Sequence, residues 1–150
     1  MVNDIFSNQV AAFYPVDPEE REKLTPTFFF NYKHLPALKQ RFSFATTFAA
    51  LDKGSNYTFT FYIYQDKVDN EHIATIKTFN VSPSKYQSIP QNMIGKNYET
   101  LTLNLTTNEF DIPKGTHTYF VTAILINQNM DPNDCVMDTA RTWFATRLAE

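Results

Sequence analysis

The segment Asn56-Tyr-Thr-Phe-Thr-Phe-Tyr-Ile-Tyr-Gln65 decides the fold class of this chain. Successive side chains of a β-strand point to opposite faces. One face of the segment is therefore apolar and aromatic, with Tyr57, Phe59, Phe61 and Ile63. The other face carries Thr58, Thr60, Tyr62 and Tyr64 and is only half polar. A β-branched and aromatic run of this kind predicts a strand with one buried face.

Similar segments recur along the chain and predict an all-β protein. The predicted strands are 5–14, 27–33, 41–51, 56–65, 72–81, 98–106, 116–127 and 136–149. About eight strands with turn signals between them indicate two packed antiparallel sheets, a β-sandwich, rather than a βαβ arrangement. We find no linker with a second core beyond it, so we expect residues 1–150 to form one domain.

Three connections have distinct signals. Asp17 and Pro18 predict one short helical turn over 17–23, with Asp17 as cap and Pro18 at the first helical position. Residues 52–55 predict a hairpin turn between the strands 41–51 and 56–65. The segment 84–96 follows Pro83, contains Pro90 and has no hydrophobic period, which predicts a long loop.

The last segment is ambiguous between helix and strand. Residues 136–149 fit a helical stripe, but they also fit a strand that pairs with 116–127. We favour the strand, because 128–134 has the composition of a hairpin loop. The strand 116–127 has apolar residues on both faces, which predicts a central position in its sheet.

Composition narrows the function. The chain has 150 residues, of which 43% are hydrophobic, with 14 Phe and 8 Tyr, and this predicts a packed core rather than disorder. A net charge of −3 argues against binding to a nucleic-acid backbone. The single Cys135 cannot form an intrachain disulfide and the N-terminus has no signal-peptide pattern, so we expect a cytoplasmic protein. No apolar stretch is long enough to predict a membrane span.

Sequence marks of catalysis and cofactor binding are missing. None of His34, His72 and His117 has a second ligand at metal-binding spacing, and we expect all three to be solvated or to lie on edge strands. The glycines are isolated, so there is no phosphate-binding loop, and there is no Gly-x-Ser-x-Gly elbow. Cys135 has no paired thiol and is expected to be a small, partly buried side chain. We therefore predict no enzyme activity, no cofactor and no metal site.

The surface offers three candidate residues, Tyr62, Tyr64 and Trp143. The two tyrosines lie opposite the apolar face of their strand, and Trp143 lies on the last segment. Exposed aromatic side chains on a sheet can stack on sugars, and Tyr and Trp are enriched among the energetic hot spots of protein interfaces. The alternative is that a second layer or the loop 84–96 covers them.

One resemblance extends over about half of the chain. The order Phe28-Phe-Phe30, His34-Leu-Pro36 and Phe110-Asp-Ile-Pro-Lys-Gly-Thr-His-Thr-Tyr119 resembles small bacterial β-sandwich families of unknown function. In those families a Leu-Pro precedes a strand and a Pro-x-Gly turn opens the penultimate one. The resemblance implies a fold and carries over no functional residue.

These observations favour a non-catalytic protein-interaction or assembly module from a bacterium or a bacteriophage, with a protein partner or self-association. Exposed aromatics and open sheet edges are natural sites of such contacts. One alternative is a module that binds carbohydrate or another small ligand by stacking on Tyr62, Tyr64 or Trp143. A phage structural subunit is another.

Overall fold

A computed structural model describes residues 7–20 and 24–150. Over these residues the chain is an all-β sandwich, as predicted. The strands are β1 (Gln9–Val16), β2 (Phe29–Tyr32), β3 (Ala37–Gln40), β4 (Ser43–Asp52), β5 (Tyr57–Gln65), β6 (Ile73–Val81), β7 (Met93–Ile94), β8 (Tyr98–Thr106), β9 (Phe110–Ile112), β10 (His117–Asn127) and β11 (Val136–Leu148). The described part of the chain thus adds three short strands, β3, β7 and β9, to the predicted eight.

The strands form two main sheets and one short ribbon. A four-stranded sheet has the order β1-β4-β8-β7, and a five-stranded sheet has the order β2-β11-β10-β5-β6. Strands β3 and β9 pair separately. All pairings are antiparallel except that of β2 with β11, which is parallel. The prediction of purely antiparallel sheets is therefore wrong at this one pair.

Burial follows the sequence pattern of β5. Tyr57, Phe59, Phe61 and Ile63 are each 0% exposed, while the residues between them are half-buried. Their partners across the sandwich come from β1 and β4. Phe48 meets Phe59 edge-to-face at 5.0 Å between ring centroids, and Phe13 meets Phe59 at 5.5 Å. Aromatic side chains remove large apolar areas from water, so this cluster holds the two sheets together.

The predicted hairpin at 52–55 is wrong. Strand β4 belongs to the four-stranded sheet and β5 to the five-stranded sheet, so this connection crosses from one sheet to the other. Both strands carry phenylalanines on their inward faces, and the crossover turns these two faces toward each other across the sandwich. The composition of a short turn is the same in a hairpin and in a crossover, so it did not separate the two.

The last segment is a strand, as predicted. β11 pairs with β10 over ten register positions, and the loop between them closes a hairpin. β10 is the third of five strands, which confirms its central position. Its second face is only half covered, however, and Phe120 on that face is exposed.

The remaining connections differ in detail from the prediction. Asp17 begins a turn over 17–20, in which its Oδ1 accepts the N–H of Glu19 at 2.9 Å. The rest of the predicted helical turn lies outside the described residues, as do residues 5 and 6 of the first predicted strand. β1 runs two residues beyond its predicted end, because Pro15 is tolerated in an edge strand. The segment 84–96 is mostly irregular but contains β7.

Candidate functional site

An aromatic row crosses the outer face of the five-stranded sheet. Trp143 of β11 lies opposite Phe120 of β10, and Phe120 lies opposite Tyr64 of β5. Tyr62 lies two residues from Tyr64 on the same face. The register therefore brings Tyr62, Tyr64 and Trp143, which were singled out separately in the sequence, onto one surface.

Isoleucines and a further phenylalanine extend this surface to both edges of the sheet. Ile73 and Ile76 of β6 lie opposite Tyr64 and Tyr62, and Phe29 of β2 contacts Trp143 at the other edge. We call the whole set the aromatic face. Its members are Phe29, Tyr62, Tyr64, Ile73, Ile76, Phe120 and Trp143.

The aromatic face is accessible to solvent among the described residues. Trp143 is 38% exposed, Phe120 37% and Phe29 47%, while Tyr62 and Tyr64 are half-buried. The expected alternative cover, the segment 84–96, lies elsewhere. It contacts the other sheet, where the N–H of Ile89 donates to Glu99 Oε1 at 3.1 Å. The two tyrosines are therefore partly buried by their neighbours on the sheet and not by this loop.

Ring contacts order the side chains at the two ends of the row. The rings of Tyr62 and Tyr64 stack at 6.5 Å, with 20° between their planes. Trp143 stacks on Phe28 at 5.0 Å and meets Phe29 edge-to-face at 5.6 Å. Stacked rings hold each other in a few rotamers, so they lose little conformational entropy when a partner binds.

Arginine borders the aromatic face along β11. The guanidinium of Arg147 lies 4.5 Å from the ring centroid of Phe29, and its Nε donates to Asn31 Oδ1 at 2.7 Å. Arg141 lies opposite Thr122 on the same side of the sheet as Trp143. On the outward positions of the five strands, all of which are described, these two arginines are the charged residues. The face is therefore cationic, in contrast to the net charge of the whole chain.

Two histidines expected to be solvated have carboxylate partners. His117 Nδ1 lies 2.6 Å from Asp66 Oδ2, and its Nε2 lies 2.7 Å from the carbonyl of Lys114. Partial burial alone would lower the pKa of His117, but these hydrogen bonds and the Asp66 charge together raise it above its ordinary value. Both ring nitrogens thus face acceptors, which suits the imidazolium. The second pair joins His72 and Asp69 at 2.5 Å.

A buried ion pair lies in the other sheet. Lys53 Nζ contacts Glu99 Oε2 at 2.8 Å and also the hydroxyl of Ser88, and the Glu99 side chain is 1% exposed. Burial alone would raise the pKa of Glu99. The hydrogen bonds from Lys53, Ile89 and Ser88 and the Lys53 charge outweigh it, so the pKa is lowered. Lys53, Ser88 and Glu99 are far apart in sequence, and no local pattern pointed to this pair.

A groove of about 490 Å³ runs beside β2, on the opposite side of that strand from β11. Its lining includes Asp17, Tyr32 and Arg41. Burial raises the pKa of Tyr32 to about 12, and Arg41 is paired with Glu109 at 2.9 Å. The raised pKa moves the Tyr32 hydroxyl further from proton transfer near neutral pH.

Two features are absent from residues 7–20 and 24–150. No group of three or more His, Cys, Asp or Glu side chains comes together there as a possible metal site. None of the helices in that part of the chain is long and apolar enough to cross a membrane. Cys135 is partly buried, and its Sγ donates weakly to the carbonyl of Pro132 at 3.4 Å.

Comparison with known proteins gives a structural neighbour and no family. The chain matches no protein-family model and no curated protein. It is similar to a solved bacterial adhesin from Mobiluncus mulieris that contains intramolecular disulfide, isopeptide and ester bond cross-links, with a TM-score of 0.60 and 8% identity. The likeness is one of fold alone. It covers 95% of this chain and 58% of the adhesin chain.

The expected resemblance to bacterial β-sandwiches is therefore met only in part. The neighbour is a bacterial β-rich protein, which agrees with the fold. No small bacterial family is matched. A cross-link of the disulfide kind within these 150 residues would need a second cysteine beside Cys135.

Proposed function

We propose that this protein is a non-catalytic protein-interaction module and that it binds its partner through the aromatic face. The observation that carries the proposal is the aromatic row itself. Trp143, Phe120 and Tyr64 come from three adjacent strands and point to solvent at one level of the sheet. Large contiguous apolar patches are uncommon on monomeric proteins and usually mark interaction sites.

The composition of the face favours a protein partner. Trp, Tyr and Arg are the residues most enriched at interface hot spots, and all three occur here. Phe120 lies between Trp143 and Tyr64, and Ile73 and Ile76 lie beyond the tyrosines at the β6 edge. These three side chains give apolar contact area without hydrogen-bonding groups. The likeness in fold to an adhesin is compatible with a binding role and adds no partner of its own.

A glycan partner is the second candidate, because Trp143 offers a ring already stacked on Phe28. Sugar recognition needs directional hydrogen bonds beside the ring, whereas Trp143 has Phe120 and Phe29 as its neighbours. For this reason we place the protein partner first.

The test begins with affinity capture and ends with a measured dissociation constant. The captured protein is identified, purified separately and titrated against the chain by calorimetry. We expect Trp143→Ala and Phe120→Ala each to weaken binding by at least about tenfold, as is usual for a hot-spot side chain. Thr102→Ala is the matched control. Thr102 is exposed in the middle of β8, on the outer side of the four-stranded sheet, where its hydroxyl contacts that of Thr47 at 3.0 Å.

Circular dichroism checks that each variant is folded. Equal binding by the wild type and both face variants would contradict the proposal. Saturable quenching of Trp143 fluorescence by neutral oligosaccharides, with no protein captured, would reassign the face to glycan binding.

A further inference from the structure

We propose that the partner is acidic, and that its carboxylates bind Arg147 and Arg141 while its apolar side chains cover the aromatic face between and beside them. This inference rests on the proposed function and names the chemistry of the partner. It is carried by the position, surroundings and charge of the two arginines.

Arg147 is held ready to bind an oxyanion. Its guanidinium stacks on Phe29 at 4.5 Å and its Nε donates to Asn31 at 2.7 Å. These contacts leave the two terminal nitrogens of the planar fork, which match the two oxygens of a carboxylate. No carboxylate of the described residues lies within ion-pair distance of Arg147.

Arg141 supplies a second positive charge on the same strand. Arg141, Trp143 and Arg147 all point outward from β11, because their positions differ by even numbers. At about 3.3 Å per residue, Arg141 lies about 7 Å from Trp143 and about 20 Å from Arg147 along the strand. A partner that meets both arginines therefore spans the aromatic row.

Charge complementarity identifies the partner as acidic. The whole chain carries −3, yet the outward positions of the five-stranded sheet carry two arginines and no acid. A complementary surface has carboxylates at the border and apolar groups over the aromatic row. Complementary charge speeds association and rejects wrong partners.

A nucleic acid or a sulfated glycan fits this face less well. Binding to a phosphate backbone draws on many cations, often six or more, whereas this face has two. A polyanion would gain little from contact with the isoleucines at the β6 edge. These side chains suit the apolar side chains of a protein partner.

Fluorescence of the single Trp143 gives a direct assay, because this residue lies on the face. It is excited at the red edge of its absorption, where tyrosine does not absorb. The probe is a random copolymer of glutamate and tyrosine, which combines carboxylates with aromatic groups. A heparin oligosaccharide and an oligothymidylate are titrated in parallel, at low and at physiological salt.

We expect the copolymer to change Trp143 emission with saturation, and to bind more tightly than heparin or oligothymidylate. Arg147→Gln and Arg141→Gln should each weaken this binding about threefold to tenfold, which corresponds to about 0.6–1.4 kcal/mol. Lys85→Gln is the charge-matched control and should bind like the wild type. Lys85 is exposed and lies in the segment 84–96, which contacts the other sheet.

The proposal is overturned if heparin or oligothymidylate binds more tightly than the copolymer, if neither arginine substitution weakens copolymer binding, or if the copolymer leaves Trp143 emission unchanged at low salt. If one of these outcomes is found but Trp143→Ala weakens binding of a captured protein, the protein-interaction function stands and the acidic partner is rejected. If no variant of the face affects any partner, both are rejected.

Discussion

Replacing Lys53 by methionine removes the cation that contacts the buried carboxylate of Glu99. The gross attraction between charges 2.8 Å apart, at an effective dielectric constant of about 20, is about 6 kcal/mol. Much of this offsets the cost of taking both ions out of water. The pair is covered by the segment 84–96 rather than sunk in the core, and Lys53 remains 20% exposed. We therefore expect Lys53→Met to lower the free energy of unfolding by about 2 kcal/mol at neutral pH, less than the roughly 3–5 kcal/mol lost when a fully buried pair is broken.

The loss should depend on pH in a defined direction. In the wild type the pKa of Glu99 is lowered, so its contribution is present above the unfolded pKa and is lost as pH falls through the folded value. Without Lys53, burial raises the pKa of Glu99 instead, and the folded variant takes up a proton as pH falls. The difference in stability between the wild type and Lys53→Met should therefore shrink in mild acid.

Urea unfolding followed by far-ultraviolet circular dichroism, at neutral pH and in mild acid, measures both effects. Lys67→Met is the matched control, because Lys67 is 73% exposed and lies 3.7 Å from Asp69. An exposed pair of this kind contributes little, so this variant should unfold like the wild type. Adding Glu99→Gln to Lys53→Met should restore part of the stability, since the amide oxygen can still accept from Ile89. Equal losses for Lys53→Met and Lys67→Met would refute the reasoning.

Three further predictions concern the core, the histidine pair and the surface. Phe144 is 0% exposed and stacks on Phe42 at 4.3 Å, so Phe144→Ala should cost about 3–5 kcal/mol in urea unfolding, and a loss below about 1 kcal/mol would contradict this packing. The raised pKa of His117 and the lowered pKa of Asp66 make their pair most stabilising between the two unfolded values, about pH 4 to 6.5. The His117 share is lost as pH rises through its folded pKa and the Asp66 share as pH falls through its own. His117→Asn should flatten the dependence of the melting temperature on pH in this range, and an unchanged dependence would exclude the pair as its source. Trp143→Ala should cost less than Phe144→Ala, because the Trp143 side chain is 38% exposed whereas that of Phe144 is 0% exposed, and a loss of the fold would mean that Trp143 belongs to the core.

The buried face of a strand was predictable wherever the residue pattern of that strand alone determines it. The alternation in β5 predicted its buried face residue by residue, because the strand period depends on nothing beyond the segment. The prediction of a strand over 136–149 was confirmed by its pairing with β10. The signal for it was the preceding loop, whose composition is typical of a hairpin.

Sequence reasoning failed where distant residues decide the outcome. A short turn such as 52–55 has the same composition whether it closes a hairpin or crosses between sheets, and the location of the partner strands decides which. The parallel pairing of β2 with β11 joins residues more than a hundred positions apart. The alternation within β5 predicted that Tyr62 lies opposite the buried face of its strand, but placing Trp143 on the same surface required the register through Phe120.

The parallel pairing of β2 with β11 also sets how the sheet responds to mechanical tension. The N–H of Ala145 donates to Phe28 and that of Ala149 to Tyr32, both at 2.7 Å. A pull on the chain just before β2 and just after β11 draws two parallel strands past each other along their length. Such shear loads the hydrogen bonds of the pair together, whereas tension across a hairpin such as β10–β11 would open them one at a time. The edge of the sheet nearest Trp143 is therefore built to resist stretching between these two points of the chain.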